Sequence, residues 1–216
     1  MHDVLRHNPV KSPGVNDFAV KLANVNGTGS ASANGLIMQA IFRMGIPVTG
    51  KNLFPSNIQG LPTWYEIRVN KDGYGARALD YDLMIAMNSQ TYANDVREVR
   101  SGGYLMYDSS WPLDESLDRK DITFLGVPLA RMCNENFADP RERILMKNIA
   151  YAGSLCAALD IDMPPSTRCL RKNTARRKRC SIPITRLCSS ATNSPRRISR
   201  SCPSISKRWT PTATRS

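Results

Sequence analysis

The sequence predicts a three-layer α/β fold, a mostly parallel sheet flanked by helices, and three observations carry that reading. Strand and helix signals alternate through the first 163 of 216 residues. Asp82–Asn88 is a near-continuous apolar run of the kind a parallel sheet buries on both faces. A short strand also runs directly into a glycine and serine turn and then an amphipathic helix, over residues 18 to 44.

Charge divides the chain before any element is assigned. The formal net charge of +12 would ordinarily point to nucleic acid or an anionic surface. Residues 164–216, however, hold 14 Lys and Arg and no Asp or Glu, leaving 16 basic and 18 acidic residues in 1–163. The body is therefore close to neutral, and the basic character belongs to the last quarter of the chain. The six cysteines divide likewise: Cys133 and Cys156 lie in the body and the other four in the tail, with no CxxC pair. Zinc-ribbon and iron–sulfur spacings are thus absent. The N-terminus, MHDVLRHNPVKSPG, lacks the apolar core of a signal peptide, and no apolar run approaches a membrane span. The expectation is a cytoplasmic protein with reduced thiols and no membrane partner.

Residues 1–15 carry His2 and His7 with prolines and glycine but no periodicity, and read as a flexible lead without a third metal ligand. Phe18–Val25 is the first strand, and Asn26 to Gly35 the turn. Leu36, Ile37, Ala40, Ile41 and Met44 then form one helical stripe, stopped by Gly45 and Pro47. A strand, a glycine turn and a helix N-terminus together can present backbone N–H groups to an anion. Gly27 and Gly29 supply the first two glycines of a GxGxxG fingerprint, but Ser32 occupies the third position. Lys51 and Asn52 stand where a ribose-binding acid belongs. Ordinary dinucleotide binding is therefore disfavoured, and the same small residues would also let the turn pack closely on the sheet.

A second strand opens at Val48 and delivers a shaped loop, Asn52 to Pro62, in which Ser56, Asn57 and Gln59 offer donors and acceptors. Thr63–Val69 alternates with the period of a strand, and Asn70–Gly73 reads as a turn. After the apolar run, Asn88 sits at the carboxyl end of its strand, where open α/β sheets place a ligand crevice. Ser89 is expected to cap a helix running to about Arg100. Further strands are expected at Gly102–Asp108 and Ile122–Val127. Two helices follow, one from about Pro128 to Asn136 and one from about Arg141 with Ile144, Leu145, Ile149, Ala152 and Cys156 on its apolar face. Cys133 and Cys156 read as small buried hydrophobes. The total is six strands and four helices. No catalytic acid, base, nucleophile or metal ligand is legible, since no histidine lies in the folded part, residues 16–163, and its acids form no convincing pair.

With the elements placed, residues 16–163 resemble the gamma domain of 2-oxoacid:ferredoxin (acceptor) oxidoreductases, a Rossmann-like domain found in the fused alpha subunit of 2-oxoglutarate-type enzymes. The resemblance rests on NGTGSASANGLIMQAIFRMG, KNLFPSNIQGLPTWYEIRV and DLMIAMNSQTYANDV. It implies a parent enzyme that decarboxylates a 2-oxoacid on thiamine diphosphate. Such an enzyme passes electrons through iron–sulfur clusters to ferredoxin and transfers the acyl group to coenzyme A. The implied partners are the alpha (pyrimidine) domain and the thiamine-binding beta subunit. This chain carries neither a thiamine motif nor a cluster motif, so no cofactor is assigned to it and the isolated chain is expected to be inactive. The resemblance implies an assembly role and a coenzyme A contact through Asn26, Gly27, Thr28, Gly29, Ser30, Ser56, Asn57 and Gln59. Many gamma domains have a denser GxGGxG turn; here Ser30 and Ser32 replace glycines, and a side chain hinders close backbone approach to phosphate.

Residues 164–216 have the composition of a disordered basic tail. Back-translated with freely chosen degenerate bases, they also give, in a frame shifted by two bases, an uninterrupted text with a lysine-rich amphipathic helix. That text has acids at ordinary frequency and resembles the linker that follows the gamma domain. The expectation is a frame change near Met163. Two other functions compete: a nucleotide- or coenzyme-binding regulatory module, and RNA binding through Arg176 to Arg179. No sequence-specific nucleic acid partner is expected.

Overall fold

The computed structural model describes residues 16–53, 61–159 and 161. The lead with its two histidines, residues 54–60 and the basic tail lie outside them. Along the chain run β1 (Asp17–Val25), α1 (Ser30–Arg43), β2 (Val48–Leu53), β3 (Pro62–Asn70), β4 (Tyr81–Ala86), α2 (Tyr92–Glu98), β5 (Val99–Asp108), β6 (Thr123–Val127), α3 (Leu129–Asn136) and α4 (Pro140–Ala158). The six strands form one mixed sheet in the order β2-β3-β1-β4-β5-β6. Strands β1, β4, β5 and β6 run parallel, while β3 lies antiparallel to both β1 and β2. The parallel half carries the expected α/β layering, and the antiparallel half comes from β2 and β3, which are too close along the chain, from Leu53 to Pro62, for a parallel crossover.

Alternation along the strands builds two unequal cores. Phe18, Val20 and Leu22 of β1 and Tyr65, Ile67 and Val69 of β3 face one side, where they meet Ile37 and Ile41 of α1 and Tyr151 and Leu155 of α4. Ala19, Met84, Ala86 and Leu105 face the other side, which is covered by the shorter α2 through Val96. Helix α3 packs on α4 through Cys133, Phe137, Met146 and Ile149. Each fully buried Ile or Leu here, such as Leu22, Ile37 and Leu155, contributes roughly 1.5–3 kcal/mol of burial.

Several element details differ from the sequence reading. The buried stripe of α1 is Ala33, Ile37, Ala40 and Ile41, with Leu36 and Met44 only half-buried. The helix stops as expected at Gly45, whose φ of +76° a side chain would resist. In α4, Ile144 and Leu145 are 49% and 37% exposed. The buried surface instead widens toward the C-terminus, from Asn148 to Cys156, because that half lies between the sheet, α1 and α3. Pro140 at the first helical position and the Asp139 carboxylate, which accepts from Arg141 N at 2.9 Å, start this helix. Asn88 rather than Ser89 is the cap before α2, since its Oδ1 accepts from Gln90 N and opens a single 3-10 turn. Helix α2 ends at Glu98, where Arg119 bonds the carbonyls of Val96 and Val99.

Candidate functional site

The carboxyl ends of β1, β4, β5 and β6 form one edge of the sheet, and the turn from Asn26 to Ser30 sits on it. Gly27 and Gly29 both have positive φ, +82° and +85°, a backbone course that L side chains resist. The Thr28 hydroxyl donates to Val25 O at 2.8 Å and folds the turn back on the strand end. Asn26 N donates to Leu61 O at 2.9 Å, which joins the turn to the base of the loop preceding β3. From the helical side, Asn148 Nδ2 donates to Thr28 O at 2.7 Å. Beneath them the buried Tyr151 hydroxyl donates to Asn34 Oδ1 at 2.7 Å beside Asn24, and burial pushes its pKa up. Thus α4 holds the turn through an amide and the start of α1 through a phenol, neither of which periodicity gave reason to single out.

Three helical N-termini open on this edge; side chains close that of α3, while α2, whose own cap Thr91 makes no side-chain bond, is entered through a 3-10 turn. Asp108, at the end of β5, accepts from Ala130 N with both carboxylate oxygens, at 3.2 and 3.1 Å, and Ser110 Oγ accepts from Arg131 N at 2.9 Å. Asn88 closes the turn before α2. At α1 the cap is Gly29, which has no side chain to offer, and the first turn carries no acid. Ala31 and Ser32 are exposed there. The partial positive charge of a 14-residue helix is therefore left facing outward at the turn.

Of the expected contact residues, Asn26, Gly27, Thr28, Gly29 and Ser30 come together in this turn. Gly27 and Gly29 are exposed, Asn26 and Thr28 half-buried, and Ser30 buried. Ser56, Asn57 and Gln59 lie outside the described residues, although the Asn26 to Leu61 bond brings the end of their loop to the turn. Asn88 is 4% exposed and spends its Oδ1 on the cap, while its Nδ2 has no hydrogen-bond partner among the described residues. Among the described residues no group of three or more His, Cys, Asp or Glu could hold a metal ion. No helix among them is long and apolar enough to cross a membrane.

The opposite face of the sheet holds a buried polar network that sequence reasoning missed. Lys21, 4% exposed, pairs with Glu98 and stands 5.3 Å and 5.2 Å from the ring centres of Trp64 and Tyr81. Asp95 of α2 is fully buried and accepts from Trp64 Nε1 at 3.1 Å and Thr91 Oγ1 at 2.6 Å. Burial pushes its pKa up to about 6 against the pull of those two hydrogen bonds. The one signal available was Lys21 itself, a cation inside the apolar strand FAVKLANV on the same face as Trp64.

The family model described as pyruvate ferredoxin/flavodoxin oxidoreductase matches residues 19–181, running on past Met163. The chain is also similar to 2-oxoacid:ferredoxin oxidoreductase 2, subunit alpha, of Aeropyrum pernix, at 28% identity over 92 residues, which is 43% of this chain and 14% of that protein. Among solved structures it resembles the 2-oxoglutarate:ferredoxin oxidoreductase of Magnetococcus marinus, solved with 2-oxoglutarate, coenzyme A and succinyl-CoA bound. There the TM-score is 0.67 at 18% identity, covering 92% of this chain and 32% of that one. It also resembles the PORC subunit of pyruvate oxidoreductase from Thermotoga maritima, with TM-score 0.55, 16% identity, and 84% and 94% coverage. The keto/oxoacid ferredoxin oxidoreductase gamma subunit of Geobacter sulfurreducens gives 0.58, 13% identity, and 85% and 99% coverage. At these identities the structures establish a shared fold, and the chain spans only a minor part of the first relative in each comparison. Because the family model covers well over half of the residues, the chain belongs to the pyruvate ferredoxin/flavodoxin oxidoreductase family.

Proposed function

We propose that residues 16–163 are the gamma domain of a 2-oxoacid:ferredoxin oxidoreductase, a cytoplasmic assembly that oxidatively decarboxylates a 2-oxoacid to an acyl-CoA. The domain docks against the pyrimidine-binding domain and the thiamine-binding subunit and presents the Asn26 to Ser30 turn to coenzyme A. One observation carries the reading: among the described residues the N-terminus of α1 has a glycine cap, no side-chain cap bond and no acid in its first turn, on a turn tied down by Asn148. A phosphate group of coenzyme A placed there would accept from free N–H groups of the first turn and meet the positive end of the helix. Ser56, Asn57 and Gln59 would complete the contact from the neighbouring loop. Thiamine diphosphate and the clusters supply the decarboxylation and electron transfer from other parts of the enzyme, so the isolated chain does not turn over a 2-oxoacid. Residues 164–216 are proposed to be read out of frame. Sequencing the gene across the Met163 codon tests this, and relatives carrying the same basic text in frame would overturn it.

Calorimetric titration of the full chain with coenzyme A tests the coenzyme contact. Ala31→Glu is the diagnostic variant, because a carboxylate in the first turn stabilises the helix by about 0.3–1 kcal/mol while repelling an incoming phosphate. The reading expects a higher melting temperature together with weaker coenzyme A binding. Equal affinity in wild type and variant, or no binding by either, would remove the turn from the coenzyme site.

A further inference from the structure

At the opposite end of the parallel strands from the glycine turn, a cleft of about 300 Å³ opens between the β2–β3 edge of the sheet and the segment Gly75–Ala78. Its floor includes Ala19 at the start of β1 and Tyr81 at the start of β4. The cross-strand pairs Thr49 with Arg68 and Lys51 with Glu66 place these four side chains on one face of the sheet. All four line the cleft, as does Arg77.

The charged groups there are held unequally. Arg68 is spent on Asp17 and on the carbonyls of Phe18 and Val69. Glu66, 7% exposed, receives Arg77 Nε at 2.9 Å, Arg77 Nη2 at 2.8 Å and the Tyr81 hydroxyl, all on its Oε1. Its Oε2 has no partner among the described residues, yet is not sealed from solvent. Arg77, more than half exposed, is engaged with Glu66 and the Tyr81 hydroxyl, whereas Lys51, exposed on the edge strand, has no hydrogen-bond or ion-pair partner among the described residues. The cleft therefore offers one fixed carboxylate acceptor beside the uncommitted Lys51 ammonium, on a positively charged frame that Tyr81 and Arg77 hold rigid.

This pattern discriminates among ligands by charge. A divalent cation would meet Lys51 and Arg77, and a bare phosphate or carboxylate would meet Glu66. A molecule with an ammonium and a carboxylate on one carbon satisfies both signs, and a volume at the lower end of small-molecule sites suits a compact one. We propose that this cleft binds a free α-amino acid, its ammonium donating to Glu66 Oε2 and its carboxylate accepting from Lys51 in the positive field of Arg77. The occupant would bridge β2 to the segment joining β3 and β4, away from the turn assigned to coenzyme A and independently of that assignment.

The test is calorimetric titration of the full chain with each proteinogenic α-amino acid at millimolar concentration, beside the matching carboxylate that lacks the ammonium. At least one amino acid should bind, with its deaminated analogue weaker by about tenfold or more. Lys51→Ala, on an exposed edge position, should weaken binding by about tenfold while leaving the melting temperature unchanged. Glu66→Gln should remove the preference for the amino acid over the analogue. No heat from any amino acid, or binding that survives both substitutions, would overturn the proposal.

Discussion

Asn148 Nδ2 donates to Thr28 O at 2.7 Å, so a side chain in the middle of α4 holds a turn 120 residues earlier in the chain. The bond fixes the carbonyl between two left-handed glycines and thereby the direction in which the α1 N-terminus points. Asn148→Ala should cost about 1–2 kcal/mol, because the partly buried carbonyl loses its donor. Urea denaturation measures the loss. Hydrogen exchange should show it concentrated at the amides of residues 26–33, and unchanged protection there would mean the clamp is incidental.

Two glycines in the same half of the molecule should respond oppositely to alanine. Gly35 lies within α1 with nothing within 4 Å of an added Cβ, so Gly35→Ala should stabilise by about 0.5–1 kcal/mol through helix propensity. At Gly50 a Cβ would overlap the Tyr65 hydroxyl and lie 2.6 Å from Met38 Sδ. Gly50→Ala should therefore cost about 1–3 kcal/mol by overpacking β2 against α1. Thermal melting of the two variants beside wild type decides both signs.

The buried Asp95 should make stability depend on pH in a direction opposite to that of most carboxylates. Its folded pKa, near 6, lies above the unfolded value, so the folded state binds the proton more tightly. The associated stability is fully present below the unfolded pKa, and it is lost as pH rises through 6. From pH 5 to pH 8 the urea midpoint should fall, a total effect on the order of 1–3 kcal/mol for a shift of this size. Asp95→Asn should flatten that profile and be the more stable protein at pH 8. A wild-type profile already flat would show that Lys21 and the two hydrogen bonds offset the burial completely.

Cys133, 1% exposed and pushed by burial up to about 11, and Cys156, 2% exposed, should resist alkylation at neutral pH in the folded chain. Both should react readily in denaturant. Peptide mapping after iodoacetamide treatment distinguishes them from the tail cysteines, and labelling of Cys133 in the native chain would indicate that α3 opens from α4.

The sequence by itself determined the elements whose causes are local. Alternation in Thr63–Val69, the apolar run into Asn88 and the stop at Gly45 each reflect the neighbours of a residue along the chain, and β3, β4 and the end of α1 follow them. The glycine turn was legible for the same reason, since glycine is the residue that most readily takes positive φ. Only the tertiary structure decided what crosses elements. It made β3 antiparallel, exposed Ile144 and Leu145, set Asn148 and Tyr151 beneath the turn, and buried Lys21 and Asp95 on a common face. Those outcomes depend on which surfaces meet in space, and a polar side chain reads the same in sequence whether water or another residue satisfies it.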